Sequence, residues 1–325
     1  MKQRFITLDA VKVFAAISIV WLHTVSSPQL GFTSVLGRFA VPFFTSTAVF
    51  IIFTKVIKKP TVSFTDYTIS RFKRIYIPFL IWSILYLLIR YLNCWITNLC
   101  TSINIKLEFL WTGTTHHLWF LPFILVVSLI TFLLAKFAYK HPKTQSWLAV
   151  IALITGIVVL IKPNYNLINQ LGYTVSLSYQ ALPAALWGIT VAVVDNLFNL
   201  REKNNFKFLP LSCIVIAIVF TILMLLQGRN LFWENLAGIC LLVFAITFKN
   251  DKFIVLDKIA AFGKYSYGIY LIHILFVEGL QDIANLFNIS GTIVLDLGVF
   301  LLSLMLTMQT IFILRKFNLQ EWLGT

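Results

Sequence analysis

Apolar stretches of about 20 residues recur from one end of this 325-residue chain to the other, and that recurrence leaves few folds open to it. Crossing the hydrocarbon core of a bilayer takes about 20 residues of helix, range about 17–25. In lipid every backbone N–H and C=O needs an internal partner, so a spanning segment is a helix or part of a closed barrel. The runs here are continuous rather than alternating, which excludes the barrel. Helices are predicted over 6–26, 38–57, 75–92, 118–138, 147–162, 179–198, 209–227, 231–248, 264–283 and 291–314. The fifth is short, and the sixth contains Pro183. Composition agrees: 59% of residues are hydrophobic and 12% charged, where a soluble domain carries roughly 25% charged residues. The mean hydropathy is +0.88. No polar stretch is long enough to fold separately, and no internal repeat is visible. The expectation is an all-α polytopic membrane protein, one domain over 1–325 with about ten transmembrane helices.

The net charge of +14 would suit a nucleic-acid partner in a soluble protein. In a membrane protein the positive-inside bias comes first. With the N-terminus in the cytosol, 20 of the 26 Lys and Arg fall on inner segments and five on outer ones, with Lys12 inside the first helix. Both termini are therefore expected in the cytosol, and the basic composition is topology, with no nucleic acid implied. The N-terminus reads MKQR before the first apolar run, which carries Asp9, Lys12 and His23. A signal peptide has an uncharged core and a small-residue cleavage site, so a retained first helix is expected. Of the four cysteines, Cys213 and Cys240 sit in apolar runs and are read as packing residues. Cys94 and Cys100 share one predicted outer loop, where a disulfide or two free thiols both fit. No metal-type C-x2-C pair is present.

Charge inside a bilayer is costly, so each intramembrane ionisable group is a functional candidate. Lys12 and His23 stand 11 residues apart, which at 100° per residue is three turns plus about 20°, so they share a face. They are separated by about 16 Å along the axis, Lys12 in the inner half and His23 in the outer half. Asp9 is close enough to pair with Lys12. One reading has Lys12 snorkelling to the headgroups and His23 bonding a neighbouring helix. The other makes His23 a general base, since an imidazole near its ordinary pKa of about 6.5 takes a proton at neutral pH.

Three further clusters carry polar chemistry. Arg71 and Arg74, in SRFKRIYIPF, share a face on an α-helical start, and their forked guanidiniums suit phosphates as well as ordinary inner-face anchoring. THHLWFLP brings His116, His117 and Trp119 to the outer start of the fourth helix, and the adjacent histidines cannot share a helix face. FGKYSYGIYLIH carries Tyr265, Tyr267, Tyr270 and His273 into the ninth, where core hydrogen bonding is the simpler role. Glu234 and Asp296 are buried acids, either of which could orient His23 or balance Lys12.

Together these clusters resemble the acyltransferase-3 family of bacterial membrane enzymes. Lys12 and His23, opened by Leu8 and Asp9, look like its Arg/Lys-x10-His pattern. RFAVPFF, from Arg38 to Phe44, is similar to its basic-x-x-Val-Pro-x-Phe segment, and Arg71 and Arg74, with Pro78 after them, to its Arg-x-x-Arg pattern. His117 to Phe120 resembles its His-Leu-Trp-Phe helix start, and Gly263 to His273 its Ser-x-Gly-Ile-Tyr-x-x-His helix. The likeness covers nearly the whole chain in order. Thr45 to Ala48 replace the family's frequent Ser-Gly, and Lys12 replaces the commoner Arg.

The resemblance implies a stand-alone O-acyltransferase of the bacterial inner membrane. Its donor would be acyl-CoA, most often acetyl-CoA, as co-substrate with no permanently bound cofactor or metal. Its acceptor would be a hydroxyl of an exported or lipid-linked surface glycan. Arg71 and Arg74 would hold the CoA phosphates, Lys12 would meet the pantetheine arm, and His23 would be the base. Arg38, His117, Trp119, Glu234, Tyr270 and His273 are the candidates for substrate and oxyanion contacts, and no covalent acyl-enzyme is expected. A flippase for a lipid-linked sugar is the competing reading, although such folds often show internal repeats.

Overall fold

Each apolar run forms a helix in the computed structural model, which describes residues 5–97, 107–161, 168, 170, 172–200, 208–248, 254–289 and 291–323. The elements are α1 (Ile6–Thr24), a 3-10 segment (Gly31–Gly37), α2 (Ala40–Lys58), α3 (Phe64–Arg71), a π turn (Phe72–Tyr76), α4 (Ile77–Thr97), α5 (Phe109–Thr112), α6 (Phe120–Lys140), α7 (Gln145–Ile161), α8 (Tyr173–Phe198), α9 (Leu209–Gln227), α10 (Leu231–Thr247), α11 (Ile254–Ala260), α12 (Ser266–Leu286) and α13 (Ile293–Lys316). Among the described residues, nine helical segments are long and apolar enough to cross a membrane, and α10, with 17 residues, is a shorter apolar helix. The chain is a multi-pass α-helical membrane protein.

Helix starts follow local chemistry. Ser63 caps α3 at Asp66 N, Asn230 caps α10 at Phe232 N and Trp233 N, and Thr292 caps α13 at Leu295 N. One start departs from the sequence reading by more than two residues. Helix α8 begins at Tyr173 rather than 179, because the polar turn before Gln180 stays helical with Pro183 inside the helix. Asn235 Nδ2 donates to the Gln180 carbonyl at 3.3 Å, beside the gap that a proline opens in the helical ladder. Ahead of α4, Pro78 can give no N–H to the Arg74 carbonyl, and the backbone widens into the π turn.

Helix α1 is the hub. It packs against α2, α10, α11, α12, α13 and the 3-10 segment. Its level relative to α12 is set where Gly263 meets Asp9: a Cβ on Gly263 would lie 2.7 Å from Asp9 Cβ. At its other end the Asp296 carboxylate, at the start of α13, accepts from the amides and hydroxyls of Ser26 and Ser27. Helices α1 and α13 therefore run antiparallel, and the first helix begins on the face where the last one ends. That face also carries Lys264 and Arg315 over the Tyr265 ring, and Lys136, which donates to the Pro60 carbonyl. Cys213 and Cys240 are free and interact between α9 and α10. Cys100 lies outside the described residues, and with it the question of a Cys94–Cys100 bond.

Close approaches at glycine draw the helices onto α2. A Cβ on Gly188 of α8 would lie 2.9 Å from the Ser46 backbone. One on Gly238 of α10 would lie 2.6 Å from Pro42 Cβ and 2.8 Å from Phe43 N. Gly238→Ala must push α10 off the α2 backbone, at a cost of about 1–3 kcal/mol. Its thermal unfolding temperature in detergent should fall, while Gly279→Ala, inside α12 where nothing lies within 4 Å, should not lower it.

Candidate functional site

The helix ends opposite the basic face enclose an open cleft of ≈ 780 Å³. Its lining includes His23 from the end of α1, Arg38 ahead of α2, His116, His117 and Trp119 ahead of α6, Gln180 of α8, Arg229 and Glu234 at the start of α10, and Tyr270 of α12. Gly37 makes the Arg38 position possible, since a Cβ there would lie 2.3 Å from the Ser18 carbonyl oxygen of α1. Glu234 follows from the contact at Gly238, one turn further along α10.

The charged wall is paired within itself. Arg229 Nε donates to Glu234 Oε1 at 2.8 Å, and Arg229 Nη2 to Gln180 Oε1 at 2.7 Å. The Glu234 side chain is 5% exposed, so this ion pair is what makes a carboxylate tolerable there. Arg38 Nε is buried without a hydrogen-bond partner.

Four histidines meet at the cleft floor. The His23 ring centroid lies 5.1 Å from that of His116 and 5.4 Å from that of His273, which is 5.6 Å from His117. His23 Nδ1 and His116 Nε2 are 3.4 Å apart. His273 Nδ1 lies 2.9 Å from both the Ile269 and Tyr270 carbonyls, so it carries the ring proton and Nε2 is bare. His117 Nδ1 contacts Thr115 Oγ1 at 3.2 Å. Nε2 of His117 and Nε2 of His273 are buried without partners. Burial holds the His117 imidazole well below the ordinary histidine range, with His273, His23 and His116 adding in the same direction, so it is neutral at pH 7. His116 is lowered too, by burial and then by Arg90. The Tyr270 hydroxyl donates to the His117 carbonyl and Tyr86 to the Leu271 carbonyl at 2.8 Å, tying this loop and α4 to α12.

The sequence-predicted residues divide by position. His23, Arg38, His117, Trp119, Glu234 and Tyr270 line the cleft, and His273 lies fully buried against His23. Lys12 does not line it; it pairs with Asp9 at 3.2 Å toward the basic face. Arg71 and Arg74 are also elsewhere. Arg71 lies half-buried over the Tyr67 ring at 5.0 Å, whereas Arg74 is exposed. Because a π turn follows Arg71, the i,i+3 alignment of an α-helix does not hold between them. Neither acid singled out in the sequence reaches His23: Glu234 is held by Arg229 and Asp296 by Ser26 and Ser27. The acid near the histidines is Glu278, with Oε1 3.8 Å from His116 Nδ1. It sits five residues past His273, and no motif marks it. His116 and His117 are adjacent yet both line the cleft, because they lie in a turn rather than on a helix.

Such a site can exchange a proton through a neutral imidazole and offers guanidinium and indole donors beside it. Among the described residues no group of three or more metal-type ligands is arranged to hold a metal ion. A protein-family model described as an acyltransferase domain matches residues 5–313. No curated protein and no solved structure matches the chain.

Removing Arg229 strands the buried Glu234 carboxylate, so Arg229→Ala should destabilise the protein by more than about 1.7 kcal/mol, the upper range for a single hydrogen bond within a membrane protein. The double variant Arg229→Ala with Glu234→Gln should recover most of that loss. Reversible unfolding in mixed micelles measures both, and no recovery would mean that the pair is not the source.

Proposed function

Because the chain belongs to the acyltransferase-3 family of membrane acyltransferases, we propose that it moves an acyl group, in the first place acetyl, from cytosolic acyl-CoA to a hydroxyl of an exported or lipid-linked surface glycan, with His23 as the general base. The observation that carries this reading is that His23, alone among the ionisable groups of α1, reaches the cleft. There it meets the polar and aromatic side chains that a sugar needs: Arg38, Gln180, Trp119 and Tyr173. The basic face is read as cytosolic on the charge bias, in a bacterial inner membrane with both termini inside.

In the proposed step His23 takes the proton of the acceptor hydroxyl, and the oxygen attacks the thioester carbonyl. The carbon–oxygen bond forms, the carbon–sulfur bond breaks, and the proton passes from His23 to the departing sulfur. The oxyanion between these events needs a donor. Tyr270 is committed to the His117 carbonyl, which leaves Arg38 and Trp119 as the candidates. Arg71 and Arg74 would meet the CoA phosphates away from the cleft. Lys12, paired with Asp9 on the same side of the bundle as the basic residues, would meet the pantetheine arm.

Mass spectrometry of the surface glycan, from cells with and without the protein, tests the acceptor: a base-labile ester of defined mass should disappear. His23→Ala should lower transfer by about 10²–10⁴-fold and keep acetyl-CoA binding. Arg71→Ala should weaken that binding by about tenfold or more, the loss of one charge-assisted contact. An unchanged ester in His23→Ala cells would end the reading of His23 as base.

A further inference from the structure

A general base is useful only if the right ring nitrogen is bare, and in a neutral imidazole that is set by what the other nitrogen bonds. Nδ1 of His23 faces Nε2 of His116 at 3.4 Å. One of these two nitrogens carries the proton, and the contact alone does not say which. The opposite edge of the His116 ring decides. Its Nδ1 lies 3.8 Å from Glu278 Oε1, and a carboxylate favours a proton on the nitrogen that faces it. With Nδ1 of His116 protonated, its Nε2 is an acceptor, so Nδ1 of His23 is the donor. Nε2 of His23 is then the ring's free acceptor.

The geometry points to His116 and Glu278 as positioning residues that hold His23 in its Nδ1–H tautomer, ready to accept a proton at Nε2. This rests on the reading of His23 as the base. The pair is built on separate elements, His116 on the turn before α6 and Glu278 on α12, so it forms only when these pack together. Other groups around it do not compete for the Nδ1 proton. His273 commits its own Nδ1–H to helix carbonyls and has no proton at Nε2 to give. His117 contacts Thr115 at Nδ1. Arg90 of α4 acts on both His116 and Glu278, Asp282 of α12 on Glu278, and Arg38 on His23, all as fixed charges at longer range. The His23 imidazolium formed during transfer would keep its Nδ1–H on His116, with the carboxylate beyond stabilising the positive charge through the intervening ring.

The test is ring-nitrogen NMR on the full chain in lipid nanodiscs, labelled with ¹⁵N at histidine. The chain has five histidines, so His23 can be assigned by its loss in His23→Ala. At neutral pH the wild-type His23 signals should be those of a protonated Nδ1 and a bare Nε2. In Glu278→Gln the Nε2–H form of His23 should rise, and transfer to the glycan should fall tenfold or more with acetyl-CoA binding unchanged. Glu278→Asp should restore part of both. A wild-type His23 protonated at Nε2 overturns the proposal, whatever the variants do, and so does an unaltered tautomer in a folded Glu278→Gln protein. The two readings fail separately. Full transfer by His23→Ala removes the base but not the tautomer, which is read without any acceptor.

Discussion

The packing of α1 is the constraint on which the cleft depends. A helix carrying Asp9, Lys12 and His23 can stay in lipid only if its neighbours receive those groups, and α1 is surrounded accordingly. Its contacts are made at backbone distance. Gly263 meets Asp9, Gly37 meets Ser18, and Asp296 ties the Ser26–Ser27 turn to α13. Each sets one end of a neighbouring element at a chosen height along α1. Gly37 puts Arg38 beside His23, and Gly263 sets the height of α12, so that His273 and Tyr270 arrive at the same level. Small residues are used because association in lipid draws on close packing and hydrogen bonding rather than on a hydrophobic drive.

The buried charges are settled locally, and that separates structural groups from reactive ones. Lys12 is answered by Asp9 three residues away, Glu234 by Arg229 five away, and Asp296 by two serines. Each of these is occupied. The histidines keep open nitrogens. Nε2 of His117 and Nε2 of His273 are buried without partners, and His23 stands against the rings of His116 and His273 at the cleft. Neutral imidazoles can be buried at far lower cost than ion pairs, which explains why a proton-handling cluster in this setting is made of histidine.

Much of the fold was legible because apolar length is a one-dimensional signal. All ten predicted spans correspond to helices, and Pro183 was tolerated inside α8 as the run suggested. His23, Arg38, His117, Trp119, Glu234 and Tyr270 converge, although no spacing relates residues on five separate elements; for all but Glu234, marked only as a buried acid, the family resemblance carried what periodicity could not. Periodicity misled where it assumed a uniform helix. Lys12 and His23 share a face, yet the cleft covers only the outer end of that face. A uniform α-helix would make Arg71 and Arg74 an i,i+3 pair, but Pro78 turns the backbone before it into a π segment. Glu278 was invisible because it serves His116, a residue whose orientation comes from a turn, and Gly113, with φ +77, starts that turn.

The position of Glu278 follows from the same economy of burial. A carboxylate set directly against His23 would lie deep among α1, α2 and α12, where an unpaired charge costs several kcal/mol. The side chains of Glu278 and His116 are 47% and 45% exposed, so both keep water on one side. The Glu278 field reaches His23 across the His116 ring, which offers one nitrogen to each neighbour. The order Glu278, His116, His23 thus keeps the carboxylate half-exposed and leads from it, across one ring, to the base.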